Sequence, residues 1–221
     1  FFKGRVALHA ILKAAGIGPG DQVLIPGYTC VVVPNAVNYT GAQPVFLDVE
    51  KETGNLDCDL LDAGRGQSWD PEQARAIIVQ HTYGIPCNMD RLTDFARRND
   101  LLIIEDACHA LGSTWRGQPV GSLGDAAFFS SQWSKPVTTG LGGWAQINNE
   151  ELREKLEAAN HRRGAERLNC LKQADEHLNL VRLYLRLASC WEWLSAGQYQ
   201  HAAAMTTEIG RLLGGWMKTV I

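Results

Sequence analysis

Two polar segments that follow apolar runs hold the residues best suited to chemistry. Asp106 and His109 come after the apolar run Leu101–Glu105, and Lys135 comes after the run Ala126–Ser130. A carboxylate in such a position can face a ligand cation, and a lysine amine that is partly withdrawn from water becomes nucleophilic. Each residue alone also has an ordinary interpretation, since aspartates often cap helices and surface lysines extend their ammonium groups into water.

The lysine and the aspartate together match the needs of one cofactor. A lysine that forms a Schiff base and an aspartate that pairs with a pyridinium nitrogen are the two protein groups that pyridoxal phosphate requires. A glycine-rich stretch, Gly140–Gly143, follows shortly after Lys135 and would let the backbone approach such a ligand. Lys135 is therefore the candidate catalytic residue, and Asp106 is the candidate partner of the cofactor ring.

The elements that must position these residues are visible as an alternation of two patterns. Short apolar runs, typical of strands covered on both faces, occur at Gln22–Pro26, Pro44–Val49, Ala76–Gln80, Leu101–Glu105, Ala126–Ser130 and Gly143–Ile147. Helical patterns occur at Arg5–Ala15, Val31–Tyr39, Asp90–Arg98 and Glu150–Ala158. The alternation predicts an α/β fold with a mostly parallel sheet flanked by helices. In such sheets, ligands bind beyond the carboxyl ends of the strands, where both candidate residues lie.

Composition excludes several classes of protein. The chain has 221 residues, is 45% hydrophobic and 20% charged, and carries a net charge of −3, so a generic nucleic-acid-binding protein is not expected. Six cysteines occur without a CxxC pair, which disfavours a disulfide framework or a zinc site and predicts buried free thiols in a reducing cytoplasm. No metal is expected. Since the sequence starts without Met, we expect its N-terminus to be truncated.

The character of the chain changes near residue 160. The segment His161–His177 is highly charged and has no strand pattern, whereas Leu178–Leu194 has apolar residues at helical spacing, with Arg182 and Arg186 on another face. We expect this helix to pack on its own domain, with a membrane surface or a subunit contact as the alternatives. The expected organisation is a cofactor-binding domain over residues 1–160 and a helical segment over residues 161–221.

From Gly4 to Leu156 the sequence closely resembles one family, the DegT/DnrJ/EryC1/StrS family of pyridoxal-phosphate-dependent aminotransferases, which have fold type I. The segments that carry the resemblance are GRVALHAIL, GIGPGDQVLIPGYTCVVVPNAV, GAQPVFLDVEKETGNLD, HTYGIPCNMDRL, IIEDACHALGS and GDAAFFSSQWSKPVTTGLGG. The resemblance implies the large, cofactor-binding domain of a fold type I enzyme. The small C-terminal domain of the family is not recognisable in this sequence.

The resemblance also implies a role for individual residues. Lys135 matches the Schiff-base lysine, and Asp106 matches the aspartate that keeps the pyridine nitrogen protonated. His109 matches a position beside the ring hydroxyl, and Ser130 matches a serine whose hydroxyl contacts the phosphate.

Two further places in the cofactor site depart from the usual pattern of the family. Gly4 and Arg5 open the first helix where relatives usually have Gly-Thr, and the N–H groups there favour a phosphate whatever the side chain. Cys30 lies where many relatives carry an aromatic residue that stacks on the cofactor, and Tyr28 is the nearest aromatic substitute.

The function implied by the resemblance is transfer of an amino group, from glutamate, to a nucleotide-linked keto-sugar by a homodimer. Two alternatives remain. One is a sugar dehydratase, but such relatives have histidine in place of the lysine. The other is a catalytically silent regulatory or scaffold relative, which would have no need of both Lys135 and Asp106.

Overall fold

The computed structural model of the chain describes residues 1–63, 69–139, 141–160 and 165–218. The chain divides into two compact units, Phe1–Ala159 and Asn160–Ile221. The first unit contains the sheet and the candidate site residues, and the second contains two long helices.

The first unit alternates strands and helices as predicted. Its helices are α1 (Gly4–Ala14), α2 (Val32–Asn38), α3 (Cys58–Ala63) and α4 (Met89–Arg98), and α5 (Glu150–Asn160) lies at its end. Its strands are β1 (Gln22–Pro26), β2 (Gln43–Leu47), β3 (Ala74–Gln80), β4 (Leu102–Asp106), β5 (Thr114–Trp115), β6 (Gln118–Pro119), β7 (Ala126–Ser130) and β8 (Gly143–Ile147). A 3-10 turn, Thr82–Gly84, follows β3.

Six strands form one sheet in the order β2-β1-β3-β4-β7-β8. Every neighbouring pair is parallel except β7 and β8, which are antiparallel. Strands β5 and β6 form a separate antiparallel pair. The predicted α/β fold with a mostly parallel sheet is confirmed.

Two apolar layers, one on each face of the sheet, form the core. Along β1, Val23 and Ile25 pack in the layer that contains Leu8 of α1, while Leu24 packs in the layer that contains Leu92 of α4. Successive residues of a strand point to opposite faces, so a continuous apolar run serves both layers. The sheet is therefore covered on both sides, and its carboxyl edge is left as the place for a ligand.

In the first unit, the predicted bounds differ from the observed ones by up to two residues, and one shift affects the site. The fourth strand was predicted to end at Glu105, but β4 runs to Asp106, which pairs in register with Gln80 and Phe128. Asp106 is thus held by the sheet itself and not by a loop. The short helix α3 has no counterpart among the predicted elements.

The second unit contains a helix whose packed side differs from the predicted one. Helix α6 (Ala165–Cys190) and helix α7 (Ala196–Lys218) pack against each other, and residues 161–164 lie outside the described residues. Leu180 and Leu183 are exposed, although their spacing predicted a packed face. Arg182 instead faces α7, because its guanidinium donates to the carbonyl of Thr206 at 2.9 Å. None of the described helices is both long and apolar enough to span a membrane.

The five cysteines whose side chains the structure describes are free thiols, but not all of them are buried. Cys58 and Cys87 are buried, and Cys108 is half-buried. Cys30 and Cys190 are exposed, so the prediction of burial is wrong for these two. The side chain of Cys170 lies outside the described part of the chain. Within that part, no cluster of histidine, cysteine or carboxylate side chains is suited to a metal ion.

Candidate active site

A cavity of about 430 Å³ lies at the carboxyl ends of β1, β3, β4 and β7. It brings together all seven residues that the sequence singled out for the site: Gly4, Arg5, Cys30, Asp106, His109, Ser130 and Lys135. The parallel strands explain this convergence, because their carboxyl ends meet at one edge of the sheet. The antiparallel return of β8 keeps the preceding loop, with Lys135, at the same edge.

The loop that carries Lys135 is folded back on Ser131. The buried Ser131 hydroxyl contacts the hydroxyl of Thr139 at 2.8 Å, and the Thr139 N–H donates to the Ser131 carbonyl at 2.9 Å. Within this loop, the N–H of Lys135 donates to the carbonyl of Gln132 at 2.9 Å. These bonds limit the positions that the backbone of Lys135 can adopt. Its amine therefore lies on the side of the cavity that His109 lines.

The amine of Lys135 lies 2.8 Å from Nε2 of His109. Burial lowers the pKa of His109, and the positive charge of Lys135 lowers it further, so the imidazole is neutral at neutral pH. A neutral imidazole has one bare nitrogen, which at Nε2 accepts a hydrogen bond from the amine and leaves the ring proton on Nδ1. The amine of Lys135 therefore has a hydrogen-bond acceptor, Nε2 of His109, within contact distance.

Asp106 is a buried carboxylate whose charge a bound cation would stabilise. Only 7% of the residue is exposed, and its Oδ1 accepts the N–H of Cys108 at 3.0 Å. Burial raises the pKa of the Asp106 carboxyl, and the donors at Cys108 and the charge of Lys135 only partly offset this effect. Within the described part of the chain its hydrogen bonds come from Cys108 alone, so a positively charged ligand would stabilise it. The protonated ring nitrogen of pyridoxal phosphate is such a group.

Another part of the cavity is suited to an anion. The N–H groups of Gly4 and Arg5 are at the N-terminus of α1, beside the hydroxyl of Ser130. A Cβ on Gly4 would lie 3.0 Å from the carbonyl oxygen of Phe129 and 3.1 Å from Cβ of Ser130, so only glycine lets the helix come this close to β7. Helix N–H groups, a hydroxyl and a guanidinium together form a donor set that fits a phosphate.

A second carboxylate, Glu105, lies next to Asp106 in β4 but does not line the cavity. Glu105 is fully buried and accepts hydrogen bonds from the N–H groups of Gly121, Leu123 and Gly124 at 2.7–2.8 Å, and from Nε2 of His81 at 3.0 Å. Burial opposes its ionisation, but the donors outweigh burial and lower the pKa of Glu105. Since its hydrogen bonds are complete, Glu105 joins the ends of β3 and β4 and does not need a ligand.

Sequence reasoning did not find Gln80 as a residue of this cavity. Its side chain is buried, donates to the Tyr28 carbonyl and to the Thr82 hydroxyl at 3.0 Å, and accepts the Thr29 hydroxyl at 2.6 Å. It therefore fixes the segment that leads to Cys30. The available signal was a polar residue at the carboxyl end of an otherwise apolar strand.

Two tyrosines line the cavity near the position that relatives fill with an aromatic residue. Tyr28 is 51% exposed, and its hydroxyl lies 2.5 Å from that of Tyr83. The ring of Tyr83 stacks on His109 at a centroid distance of 5.9 Å and an interplanar angle of 5°. Cys30 lines the cavity and is itself exposed, so the aromatic surface of the cavity comes from the two tyrosines and from Phe128.

The fold and the cavity at the carboxyl ends of its strands define an α/β domain of fold type I. A family model described as the DegT/DnrJ/EryC1/StrS aminotransferase family matches residues 3–178. The chain belongs to this family, as the resemblance predicted. The match extends beyond Leu156, where the recognisable resemblance ended, into the described part of α6.

Similar proteins support the same assignment. GDP-perosamine synthase of Caulobacter vibrioides is 44% identical over 153 residues, which are 69% of this chain and 40% of that protein. L-glutamine:scyllo-inosose aminotransferase of Streptomyces griseus is 42% identical over 140 residues, which are 63% of this chain and 32% of that protein. The chain thus spans at most about two fifths of these relatives.

A solved structure shows the same fold with a named cofactor form. The putative sugar aminotransferase Spr1654 from Streptococcus pneumoniae, in its PLP-form, is 32% identical, with a TM-score of 0.62. The alignment covers 71% of this chain and 44% of that structure.

Proposed function

We propose that the chain is the cofactor-binding part of an aminotransferase that transfers an amino group from glutamate to a nucleotide-linked keto-sugar. The observation that carries this proposal is the placement of the Lys135 amine and the buried Asp106 carboxylate in one cavity, with His109 against the amine. The relatives named for perosamine and inosose chemistry support a sugar or cyclitol as the acceptor.

Pyridoxal phosphate is the cofactor that this set of residues fits. Asp106 would pair with the ring nitrogen, and His109 would lie beside the ring hydroxyl. Ser130, Arg5 and the N–H groups at the start of α1 would hold the phosphate, and Cys30 would lie beside the ring. When bound, the cofactor supplies an electrophilic carbonyl carbon and a ring that takes up the electron pair released at the substrate carbon.

Lys135 has two tasks in this proposal. Its Nζ must first lose a proton to act as a nucleophile, and the neutral Nε2 of His109, 2.8 Å away, is positioned to receive a hydrogen bond from it. When Nζ is free, it would also be able to take up a proton and return it at the reacting centre. The bonds that fold the loop back on Ser131 keep Nζ within reach for both tasks.

Asp106 and the phosphate-side residues act by charge. An ionised Asp106 would hold a proton on a ring nitrogen placed against it, because a nearby negative charge favours the protonated, cationic form. Arg5 and Ser130 would anchor the opposite end of the same ligand. A ligand held at both ends presents a fixed face to Lys135, which restricts which bond at the substrate carbon is broken.

We also propose that the active form is a homodimer, in which the neighbouring chain completes the substrate side of the cavity. The family resemblance and the open tyrosine-lined side of the cavity support this arrangement. Sedimentation of the purified protein should give a concentration-dependent dimer. A monomer that retains full turnover would contradict it.

Labelling of the lysine tests the function directly. The chain is incubated with pyridoxal phosphate, reduced with borohydride and mapped by mass spectrometry. We expect the pyridoxyl group on Lys135, and no such label at that peptide in Lys135→Ala. A label on Lys51 or Lys155 in place of Lys135 would overturn the assignment.

A second measurement addresses the amino donor. The cofactor-loaded protein is mixed with glutamate, and conversion of the cofactor to its amine form is followed together with 2-oxoglutarate. Glutamine is the matched alternative, because a relative is named for that donor. Conversion by glutamine alone would show that the donor is glutamine and leave the proposed reaction class intact.

A further inference from the structure

We propose that Tyr83 is a positioning residue that holds the imidazole of His109 against the amine of Lys135. Its importance for catalysis rests on the proposed function, but the positioning itself is a property of the ligand-free chain. Tyr83 has none of the proposed contacts with the cofactor and acts through His109.

The backbone of Tyr83 adopts a conformation that large side chains rarely take. Its φ is +53° and its ψ is 25°, in the left-handed region where a residue with a Cβ is disfavoured. Such conformations persist where surrounding contacts determine them, and they cluster at functional sites. The next residue, Gly84, also has a positive φ, of 85°. The turn is therefore held in this shape by its environment.

The contacts that hold the turn come from the segment that carries His109. The hydroxyl of Ser113 donates to the carbonyl of Gly84 at 2.8 Å, and a Cβ on Gly84 would lie 3.3 Å from the carbonyl oxygen of His109. On its other side, the N–H of Thr82 donates to Oδ1 of Asn55 at 2.9 Å. The turn is thus fixed between two segments, and its tyrosine ring has a defined direction.

That direction places Tyr83 between two other side chains of the cavity. Its ring is parallel to the imidazole of His109, and its hydroxyl lies 2.5 Å from that of Tyr28. Although 69% of Tyr83 is exposed, the ring is therefore anchored at both its face and its tip. With this parallel ring alongside it, the imidazole has less freedom to rotate away from Nζ of Lys135, which it meets through Nε2.

The first test measures the ring of His109 in the ligand-free chain. Burial and the charge of Lys135 lower the pKa of this imidazole, while Asp106 acts in the opposite direction. In Tyr83→Gly the ring is lost but the left-handed backbone is relieved, so the fold should be retained. NMR titration, assigned with His109→Gln, should show the pKa of His109 rising toward its ordinary value of about 6.5. An unchanged titration would overturn the proposal.

Matched variants separate positioning from general effects. Asp100→Gly replaces another residue with positive φ (54°) that does not line the cavity, and it should leave the His109 titration unchanged. Tyr83→Phe keeps the stacking ring, so it should restore the titration of the unaltered chain. A shift of equal size in Asp100→Gly, or in Tyr83→Phe, would contradict the role assigned to the ring.

The second test distinguishes failure of this inference from failure of the proposed function. The rate at which pyridoxal phosphate becomes trapped on Lys135 should fall about two- to tenfold in Tyr83→Gly, since stacked aromatic pairs contribute roughly 0.5–1.5 kcal/mol. An equal rate in Tyr83→Gly and the unaltered chain would contradict the positioning role alone. Absence of the label in the unaltered chain would contradict the proposed function, whatever the NMR titration gives.

Discussion

Glu105 and Asp106 are adjacent at the end of β4, yet their carboxylates have opposite electrostatic surroundings. Glu105 is surrounded by donors from three backbone N–H groups and His81, and its pKa is lowered. Asp106 faces the cavity, where among the described residues only Cys108 donates to its carboxylate, and burial raises its pKa. Because neighbouring strand residues point to opposite faces, the same strand can supply one carboxylate to the structure and the other to a ligand.

Replacing Asp106 by asparagine should reduce activity and increase stability. Because a neutral amide cannot hold a proton on the cofactor nitrogen, we expect glutamate-driven conversion of the cofactor to fall by at least about two orders of magnitude, with some cofactor still bound. The ligand-free protein should become more stable at pH 7 by roughly 1 kcal/mol or more, since the amide carries no buried charge. Urea unfolding and single-turnover kinetics measure the two effects.

The pH dependence of this gain has a defined sign. The folded-state pKa of Asp106 is raised, so the carboxyl favours the fold when protonated and loses that contribution as pH rises from its unfolded pKa, about 3.9, through the higher folded value. The advantage of Asp106→Asn should therefore be present at pH 7, shrink as pH falls through the raised folded pKa, and be absent below about pH 4. A variant that is less stable than the parent at pH 7 would show that another group already neutralises Asp106.

Glu105→Gln should destabilise the fold. The amide offers one acceptor oxygen, so either the donors at Leu123 and Gly124 or those at Gly121 and His81 would face an NH₂ group. We expect a loss of about 2–4 kcal/mol in the free energy of unfolding. The folded-state pKa of Glu105 is lowered, so its contribution is present above the unfolded pKa of about 4.3 and is lost as pH falls through the lower folded value. The difference between variant and parent should narrow in acid, and equal stability at pH 7 would refute the prediction.

Gly143→Ala should disturb the wall of the cavity. A Cβ at this position would overlap the backbone nitrogen and Cα of Gly4, which cannot move without displacing α1. We expect at least about 2 kcal/mol of destabilisation, together with weaker cofactor retention. The matched control is Gly18→Ala, whose Cβ would meet the Thr40 carbonyl oxygen at an ordinary 3.6 Å. Equal melting temperatures for the two variants would contradict the close approach of helix and strand.

Ser130→Ala should act on the phosphate end of the cofactor. Loss of one hydrogen bond to a charged group corresponds to roughly 1.5–3 kcal/mol, so the dissociation constant for pyridoxal phosphate should rise about tenfold or more. Binding of pyridoxal, which has no phosphate, should be nearly unchanged. Fluorescence titration with both ligands gives the comparison. An equal loss for both ligands would place Ser130 away from the phosphate.

The sequence was sufficient for the features that depend on one segment at a time. Asp106 and Lys135 could be found because a polar residue after a buried parallel strand must lie at the ligand-binding edge. The roles of Gln80 and Tyr83 could not be predicted in this way. Gln80 acts through Thr29, and Tyr83 acts through Tyr28 and His109, and each of these partners is at least 26 residues away in the chain.

Hydrophobic spacing predicted the helices that pack on the sheet, but it failed for α3 and for the packed side of α6. The six-residue helix α3 is too short to show a period, so it was missed. In α6 the spacing of Leu180 and Leu183 indicated a packed face, but the guanidinium of Arg182 binds a carbonyl of α7 and turns a different side of the helix toward it. A polar contact of this kind has no signature in hydrophobic periodicity.

The close approach of Gly4 and Gly143 also sets when the cavity can form during synthesis. Helix α1 leaves the ribosome well before β8, yet Gly143 of β8 packs closely against Gly4 of α1, and Gly4 lines the cavity. A nascent chain that already contains Asp106 and Lys135 therefore still lacks the strand against which the start of α1 packs, and domains generally fold as units once their sequence is available. Cofactor capture should consequently follow translation of β8, and ribosome-stalled chains that end before it should not retain the cofactor.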